Sequence, residues 1–209
     1  MTVKVYIVTD PMCSWCWGMT PQIKIAAERL ADRVEFDLLL GGINTHGSQP
    51  IGDYGKRHLF KLWKEVHATT SQSFGFKLPE TFVYNSTIPC IAVAAMSRWL
   101  GKPAFDYLHR LQQLFFLEGL NINEPGLLAD AAQDRGWTRD GMVTALSDIN
   151  LREVVRFEFS TSRSYGTNAL PSVLWEETGK RVLLAGGYVD ADMLVQLIQT
   201  KLDGISLGS

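Results

Sequence analysis

The first forty residues contain two short apolar runs separated by one amphipathic stretch. The runs from Val3 to Val8 and from Val34 to Leu40 consist largely of bulky apolar residues and predict two strands. From Ser14 onward, apolar residues recur at helical spacing. Pro21 lies about two turns inside this stretch and is expected to kink the helix, because it donates no backbone hydrogen bond. The pattern therefore predicts a βαβ unit with a parallel pair of strands.

The last forty residues follow a different order of elements. Ser172–Glu176 and Arg181–Ala185 are predicted strands, joined by a turn at residues 177–180. Asp190 stands at the expected N-cap of a final helix, ahead of apolar residues at helical spacing. We expect a β-hairpin followed by a helix, with a frayed tail from Gly204 to Ser209.

The long stretch between these two ends has an almost entirely helical pattern. Helical runs are predicted near 53–74, 88–101, 103–118, 125–136, 138–148 and 150–165. Their expected starts are Thr87, Pro103, Asn123, Thr138 and Asn150, and their expected stops are Gly101, Gly119, Gly136 and Gly166. The sequence thus predicts an α/β fold of two parts. Residues 1–45 and 167–209 form a βαβ and ββα domain, and residues 46–166 form an all-helical insertion that acts as a lid.

Charge and hydropathy exclude several classes of function. The 20 basic and 22 acidic residues are spread along the chain and give a net charge of −2, without the basic stripe of a nucleic-acid binder. No run approaches the roughly 20 apolar residues that span a bilayer. The apolar run at the N-terminus is too short for a signal peptide. We therefore expect a soluble, cytoplasmic protein that binds neither nucleic acid nor membrane, and its oligomeric state stays open.

Cys13 and Cys16 stand three residues apart where the first strand turns into the first helix. The free N–H groups and the dipole of a helix N-terminus stabilise a thiolate. We expect Cys13 to be the attacking thiol, stabilised only moderately because no imidazole lies between the cysteines. Cys16, one turn further in and more buried, is expected to resolve the mixed disulfide. Ser14 is expected to cap the helix or to donate to the thiolate, and Trp15 to offer an exposed apolar surface to a substrate.

A Cys-x-x-Cys pair is also half of a zinc site, which needs two further ligands. The other candidates are Cys90 and four histidines, His46, His58, His67 and His109, none of them at ligand spacing. We therefore predict no metal site, and redox chemistry is the favoured interpretation of the pair. Cys90 lies in an apolar helix start and is predicted to be a buried structural residue, with a third redox thiol as the alternative.

The segment from Asp10 to Gly18, DPMCSWCWG, resembles the signature of the DsbA-like branch of the thioredoxin-fold superfamily. It is most similar to the cytoplasmic FrnE-like protein disulfide isomerases, and the resemblance covers essentially the whole chain. The resemblance implies a thioredoxin fold with a large helical insertion. It also implies a redox-active Cys13–Cys16 disulfide in place of a cofactor, glutathione as a candidate reductant, and protein or small-molecule thiols and disulfides as partners.

The resemblance also assigns a role to Pro171, since the family has a cis-proline facing the dithiol. An X–Pro bond adopts the cis form at small cost, and proline is tolerated at the first position of a strand. A cis bond would turn the backbone of Leu170 toward the sulfurs, where it can pair with a substrate. Asp10 has two interpretations. We favour a turn residue whose carboxylate caps the helix, and the alternative is a buried proton acceptor for Cys16.

Three functions fit these features. The leading hypothesis is thiol–disulfide exchange on proteins or small thiols. Kappa-class glutathione transferases and 2-hydroxychromene-2-carboxylate isomerases share the layout but resemble it with serine at the position of Cys13, so the presence of both cysteines favours redox chemistry. A non-catalytic, chaperone-like binder would use Trp15 and the aromatic residues of the insertion as its contact surface. The direction of exchange stays open, because it depends on the potential of the dithiol against its compartment.

Overall fold

The protein, analysed as a computed structural model, is described over residues 3–166 and 168–206. The order of its elements is the predicted one. They are β1 Val3–Thr9, α1 Ser14–Arg29, β2 Val34–Leu40, α2 Asp53–Thr70, α3 Thr87–Leu100, α4 Phe105–Phe116, α5 Pro125–Gln133, α6 Arg139–Leu146, α7 Ile149–Ser162, a 3-10 turn Arg163–Tyr165, β3 Ser172–Glu177, β4 Lys180–Gly186 and α8 Ala191–Ser206. The tail expected to fray from Gly204 is helical as far as Ser206, and residues 207–209 lie outside the described part.

The four strands form one sheet in the order β2-β1-β3-β4. β1 pairs in parallel with β2 and antiparallel with β3, where Val8 lies opposite Ser172. The β3–β4 hairpin turns through Thr178 and Gly179, with φ of 50° and 77°, the left-handed backbone that suits a two-residue hairpin turn. The arrangement is the predicted thioredoxin fold, βαβ followed by ββα, with α2 to α7 inserted between the two halves. The pairing of β1 with β3 places Pro171 beside the end of β1 that leads to Cys13.

Several predicted helix ends are displaced. Thr138 caps α6 as predicted, since its side chain accepts from the backbone N–H of Gly141. The prediction that Asn150 caps α7 is wrong, because the Asp148 carboxylate accepts from the backbone N–H groups of Asn150 and Leu151. Both residue types are good caps, so spacing alone did not choose between them. Helix α3 starts at Thr87 as predicted, although its N-cap residue is Ser86. The starts of α4 and α5 lie two residues after the predicted Pro103 and Asn123. The glycines at 101, 119, 136 and 166 have positive φ, as expected of residues that follow helices.

Helix α1 continues through Pro21 without ending there. Proline supplies no N–H to the carbonyl four residues earlier, which belongs to Trp17. The side-chain amide of Gln72 donates to that carbonyl at 3.0 Å. A residue just beyond α2 thus replaces the missing hydrogen bond and connects the insertion to the helix that carries the cysteines.

The buried side chains form two large clusters. One joins the sheet to α1 and α8 and includes Val5, Ile7 and Trp175. The other is built mainly from the insertion, and it also takes in Met12 and Trp17. Because Met12 and Trp17 flank the two cysteines, the insertion packs directly on the segment that carries the dithiol. Burial of this apolar surface is the main favourable contribution to holding that segment in place.

Candidate active site

Cys13 is the N-cap of helix α1. Its backbone is extended, with φ of −82° and ψ of 113°, and its sulfur accepts a hydrogen bond from the backbone N–H of Cys16 at 3.2 Å. Ser14 is the first helical residue and is buried. The expectation that Ser14 caps the helix is therefore wrong, because the sulfur of Cys13 already accepts a first-turn N–H group.

The Leu170–Pro171 peptide bond is cis, as the family resemblance implied. The Leu170 carbonyl lies 3.7 Å from the Cys13 sulfur, within reach of a thiol hydrogen bond. Gly41, at the end of β2, allows the loop this close approach, since a Cβ there would lie 2.5 Å from a methyl carbon of Leu170. The absence of a side chain at Gly41 therefore leaves room for Leu170 beside the dithiol.

A cavity of about 260 Å³ opens beside the dithiol. Cys13, Ser14, Trp15 and Leu170 line it, together with residues from the ends of β2 and α7, whereas Cys16 does not. The sequence predicted that Cys16 would be more buried than Cys13, but each has a relative exposure of only 1%. The two thiols therefore differ in what they face rather than in exposed area, because only Cys13 faces the cavity.

Trp15 is half-buried rather than exposed, which corrects the expectation of an open apolar surface. Its ring centroid lies 6.1 Å from that of Tyr188, in the loop between β4 and α8. Tyr188 was not identified from the sequence, because its contact with Trp15 spans most of the chain. The pair forms an aromatic wall of the site that is only partly available to a substrate.

Asp10 is fully buried behind the dithiol. One carboxylate oxygen accepts from the Met12 backbone N–H at 2.7 Å. The other accepts from the Ile43 N–H at 2.8 Å, the Ser86 hydroxyl at 2.6 Å and the Cys90 thiol at 3.5 Å. The favoured interpretation of Asp10 is confirmed for the turn, since its carboxylate accepts from the backbone N–H of Met12. It is wrong for the helix cap, because Cys13 occupies the N-cap position. The other carboxylate oxygen bonds to distant segments instead.

Burial raises the pKa values of Asp10 and of Cys16. Burial raises the pKa of the Asp10 carboxyl, opposed by the hydrogen bonds from Ser86 and from the backbone of Ile43 and Met12. Burial, followed by the hydrogen bond with Cys13 and by negative charge on Cys13 and Asp10, raises the pKa of Cys16 well above its usual range. Cys16 therefore keeps its proton near neutral pH and needs a base before it can attack.

Cys90 and Ser86 reach this site from the start of α3. Both are buried, and Cys90 is a free cysteine, as are Cys13 and Cys16. Ser86 precedes the first residue of α3 but makes no side-chain cap bond, because its hydroxyl donates to Asp10. Burial raises the pKa of Cys90 well above that of an ordinary thiol, with Asp10 adding to the effect. Within the described residues, no group of three His, Cys, Asp or Glu side chains is arranged to hold a metal ion.

Arg163 is a cationic residue of the site that the sequence did not reveal. Its guanidinium donates to the carbonyls of Phe159 and Gly42, each at 2.8 Å, and it lines the dithiol cavity. It comes 150 residues after Cys13, at the end of α7, so no local pattern in the sequence connects the two. Arg163 thus places a fixed positive charge on the wall of the dithiol cavity.

A dithiol at the start of the first helix, facing a cis-proline loop across a thioredoxin sheet, defines a thioredoxin-fold protein of the thiol–disulfide oxidoreductase class. The pattern of the DSBA-like thioredoxin domain family matches residues 4–199. The chain belongs to this family. Over the described residues, no helix is long and apolar enough to cross a membrane.

Known proteins of similar structure share the whole fold. A proposed protein disulfide isomerase from Nitrosomonas europaea superposes with a TM-score of 0.88 at 24% identity, over 98% of this chain and 99% of that one. The cytosolic disulfide reductase DsbM from Pseudomonas aeruginosa has a TM-score of 0.76 at 24% identity, over 96% of this chain and 98% of its own. DsbM has also been solved with glutathione. In sequence, the ClpXP adapter protein SpxH of Shouchella clausii (strain KSM-K16) is 21% identical over 96% of this chain and 67% of its own length.

Proposed function

We propose that this protein catalyses thiol–disulfide exchange on protein or small-molecule substrates, with Cys13 as nucleophile and Cys16 as resolving thiol. The observation that carries the proposal is the position of the Cys13 sulfur. It accepts the Cys16 N–H at 3.2 Å, lies 3.7 Å from the Leu170 carbonyl, and faces the cavity that Cys16 does not reach. Only one of the two thiols is therefore placed to meet an incoming disulfide.

In the first step the Cys13 thiolate attacks one sulfur of the substrate disulfide. A mixed disulfide forms between Cys13 and the substrate, and the other substrate sulfur leaves as a thiolate that takes a proton. The backbone of Leu170, held by the cis-proline loop, offers its carbonyl beside the reacting sulfur. An extended substrate segment can pair with this loop as a short added strand.

In the second step Cys16 loses its proton and attacks the Cys13 sulfur. The Cys13–Cys16 disulfide forms, the second substrate thiolate leaves, and two electrons have passed from the dithiol to the substrate. Because burial raises the pKa of Cys16, this step needs a base. Asp10, which is buried close enough to act on Cys16 through its charge, is the proton acceptor in this proposal, directly or through a water molecule.

The oxidised protein returns to the dithiol by the same chemistry with an external thiol. We propose glutathione as that reductant and the cytoplasm as the compartment. The support is the resemblance to FrnE-like proteins and the similarity to DsbM, a cytosolic disulfide reductase solved with glutathione. No bound cofactor takes part in this scheme, since the redox group is the Cys13–Cys16 couple itself.

The test is equilibration of the purified protein in glutathione buffers of graded reduced-to-oxidised ratio, with the thiols then trapped by alkylation and counted by mass. We expect a single two-electron transition between dithiol and disulfide, with both cysteines of the pair changing together. A midpoint near the cytosolic poise, on the order of −250 mV, supports reduction or isomerisation, and a much higher one supports oxidation. A dithiol that forms no disulfide at any ratio would overturn the proposal.

Partner binding without exchange is a second candidate, favoured by the similarity to SpxH, which is described as a ClpXP adapter protein. In that case the fold serves as a docking platform and the thiols are dispensable. The double variant Cys13→Ala/Cys16→Ala separates the two functions. The assays are suppression of client aggregation and delivery of a client. Activity that survives in this variant supports the binding function, and loss of that activity supports exchange.

A further inference from the structure

A second cavity, of about 820 Å³, adjoins the dithiol cavity at Arg163, which lines both. We define the basic groove as this second cavity. One wall comes from α7 and the turn after it, with Arg152, Arg156 and Arg163. The opposite wall comes from the loop after β2, the start of α3 and the start of α5, and includes His46 and Asn123. A chain that enters the dithiol cavity can therefore continue along this groove.

Among the described residues, two of the three arginines of the groove, Arg152 and Arg163, are not paired with a carboxylate. Arg152 donates to the Leu146 carbonyl at 3.2 Å and Arg163 donates to the carbonyls of Phe159 and Gly42. Neither has a carboxylate within 4 Å in the part of the chain that the structure describes. Arg156 pairs with the exposed Glu153 at 2.9 Å.

Glu124 is the one acidic residue among those that line the groove. Its carboxylate accepts from the side chain of Asn121 rather than from an arginine. Among the described residues the lining therefore carries three guanidinium groups and one carboxylate, and Glu153 pairs with the guanidinium of Arg156 from outside the lining. Such a concave surface attracts a negatively charged group and holds it better than a flat surface would.

The polar residues of the groove suit a peptide backbone. Asn123 donates its amide N–H to the Val83 carbonyl at 2.9 Å. Its buried side-chain oxygen has no hydrogen-bond partner among the described residues. A peptide N–H group is a donor that would satisfy this acceptor.

We propose that the basic groove binds an acidic segment of the substrate polypeptide, next to the cysteine that reacts with Cys13. This inference rests on the proposed exchange function and names its substrate class. From Arg152 to Arg163 the helix rises about 16 Å, the length of about five extended residues. Favoured substrates therefore carry Asp or Glu within about five residues of the reactive cysteine.

The experiment compares the reduction of three synthetic peptides by the full-length protein. Each peptide contains one intramolecular disulfide, and they are identical except for two positions within five residues of a cysteine, filled by glutamate, glutamine or lysine. The measured quantity is kcat/KM with dithiothreitol as the recycling reductant. We expect the wild-type protein to reduce the glutamate peptide about fivefold faster than the glutamine peptide, and the lysine peptide more slowly than either. The preference is expected to fall as ionic strength rises.

Substitutions of the groove arginines test whether the groove is the source of this preference. In Arg152→Gln/Arg156→Gln the ratio between glutamate and glutamine peptides is expected to fall to about one. In Arg156→Glu the lysine peptide is expected to gain relative to the glutamate peptide, a reversal that a merely unfolded variant cannot produce. The matched control is Arg33→Gln, since Arg33 is an exposed arginine paired with Asp203 at 3.8 Å outside both cavities, and it should keep the wild-type ratio.

The outcomes separate the two proposals. Equal rates with all three peptides would overturn the substrate class while leaving the exchange function standing. A preference for the glutamate peptide that survives in the double variant would also overturn it, because the charge selection would lie elsewhere. A wild-type protein that reduces none of the peptides would overturn the exchange function and this inference together.

Discussion

In front of the dithiol, Cys13 faces a cavity whose walls include the cis-proline loop and the end of β2, and this is the proposed place of exchange. Behind the dithiol, the buried Asp10 accepts hydrogen bonds from Ser86 and Cys90, which belong to the helical insertion. The front is assembled largely from the thioredoxin half of the chain. The back depends on residues about eighty positions away, so the insertion supplies hydrogen-bond donors to the buried carboxylate behind the dithiol.

This difference assigns the two sides different tasks. In the proposed mechanism the front presents a disulfide to the Cys13 sulfur, whereas Asp10 at the back accepts the proton of Cys16. A carboxylate that is fully buried yet accepts four hydrogen bonds balances two opposed effects, since desolvation disfavours its charge and the donors favour it. Changes at the front should therefore alter whether exchange begins. Changes at the back should alter how fast Cys16 resolves the mixed disulfide and how the rate of that step depends on pH.

The largest effect is expected at the front, from Cys13→Ser. A hydroxyl is a far weaker nucleophile than a thiolate, so reduction of insulin or of a disulfide peptide should fall by on the order of 10³-fold or more. The measurement is the initial rate under dithiothreitol recycling. A glutathione transferase or isomerase of this fold would tolerate serine at this position, so substantial retained activity on an electrophile with glutathione would contradict the redox interpretation.

Cys16→Ser should separate the two halves of the reaction. The first attack by Cys13 still occurs, but the mixed disulfide is no longer resolved from within, so it accumulates while turnover falls by on the order of 10²-fold. Mass spectrometry after a single addition of disulfide substrate should find the protein covalently linked through Cys13. The matched control is Cys13→Ser, which should form no adduct, and an adduct on Cys16 in that variant would reverse the assigned roles.

A smaller effect on rate is expected from Asp10→Asn, which keeps the shape of the buried group and removes its charge. Resolution should slow by about tenfold or more, because Cys16 loses its proton acceptor. The variant should also lose the pH dependence of the second step while the formation of the mixed disulfide changes little. Asp32→Asn, an exposed aspartate after α1, is the matched control and should leave both steps unchanged.

The raised pKa of Asp10 also predicts how the stability of the fold changes with pH. The folded protein holds this proton to a higher pH than the unfolded chain does, so its contribution to stability is fully present below the ordinary value near 3.8 and is lost as pH rises through the folded value. Relative to the wild type, Asp10→Asn should therefore become more stable as pH rises over that window. Urea midpoints measured across the range check this, and a constant difference between the two proteins would contradict the raised pKa.

The comparison of front and back also explains what could be predicted from the sequence. The strands, the first helix and the dithiol follow from local spacing, and the role of Pro171 follows from the family resemblance that the DPMCSWCWG segment carries. Ser86, Tyr188 and Arg163 could not be found in this way, because each acquires its role through a contact far along the chain. Ser86 had the ordinary features of a helix start, and only the fold shows that its hydroxyl donates to Asp10 instead of capping α3.

At the dithiol, too, the structure differs from the predictions because of contacts that local patterns do not contain. Ser14 is a good cap residue by type, but the sulfur of Cys13 occupies that place. Trp15 seemed open from its position in the motif, yet Tyr188 covers part of it. Local patterns thus predict which elements form and which groups react. They do not predict which distant side chains cover or hydrogen-bond those groups, because that depends on how the insertion and the last loop pack.

The smallest effect is expected from Cys90→Ser, at the back of the site. The thiol of Cys90 is fully buried and donates a hydrogen bond to Asp10 at 3.5 Å. A serine hydroxyl can make the same hydrogen bond, so turnover should stay within about twofold of the wild type. The measurement is the same peptide-reduction rate, together with the alkylation count in oxidised glutathione. We expect that count to fall by two thiols in both proteins, since only Cys13 and Cys16 pair. If the change instead abolished the transition or altered its electron count, Cys90 would be a third redox thiol, and the division between a reacting front and a supporting back would not hold.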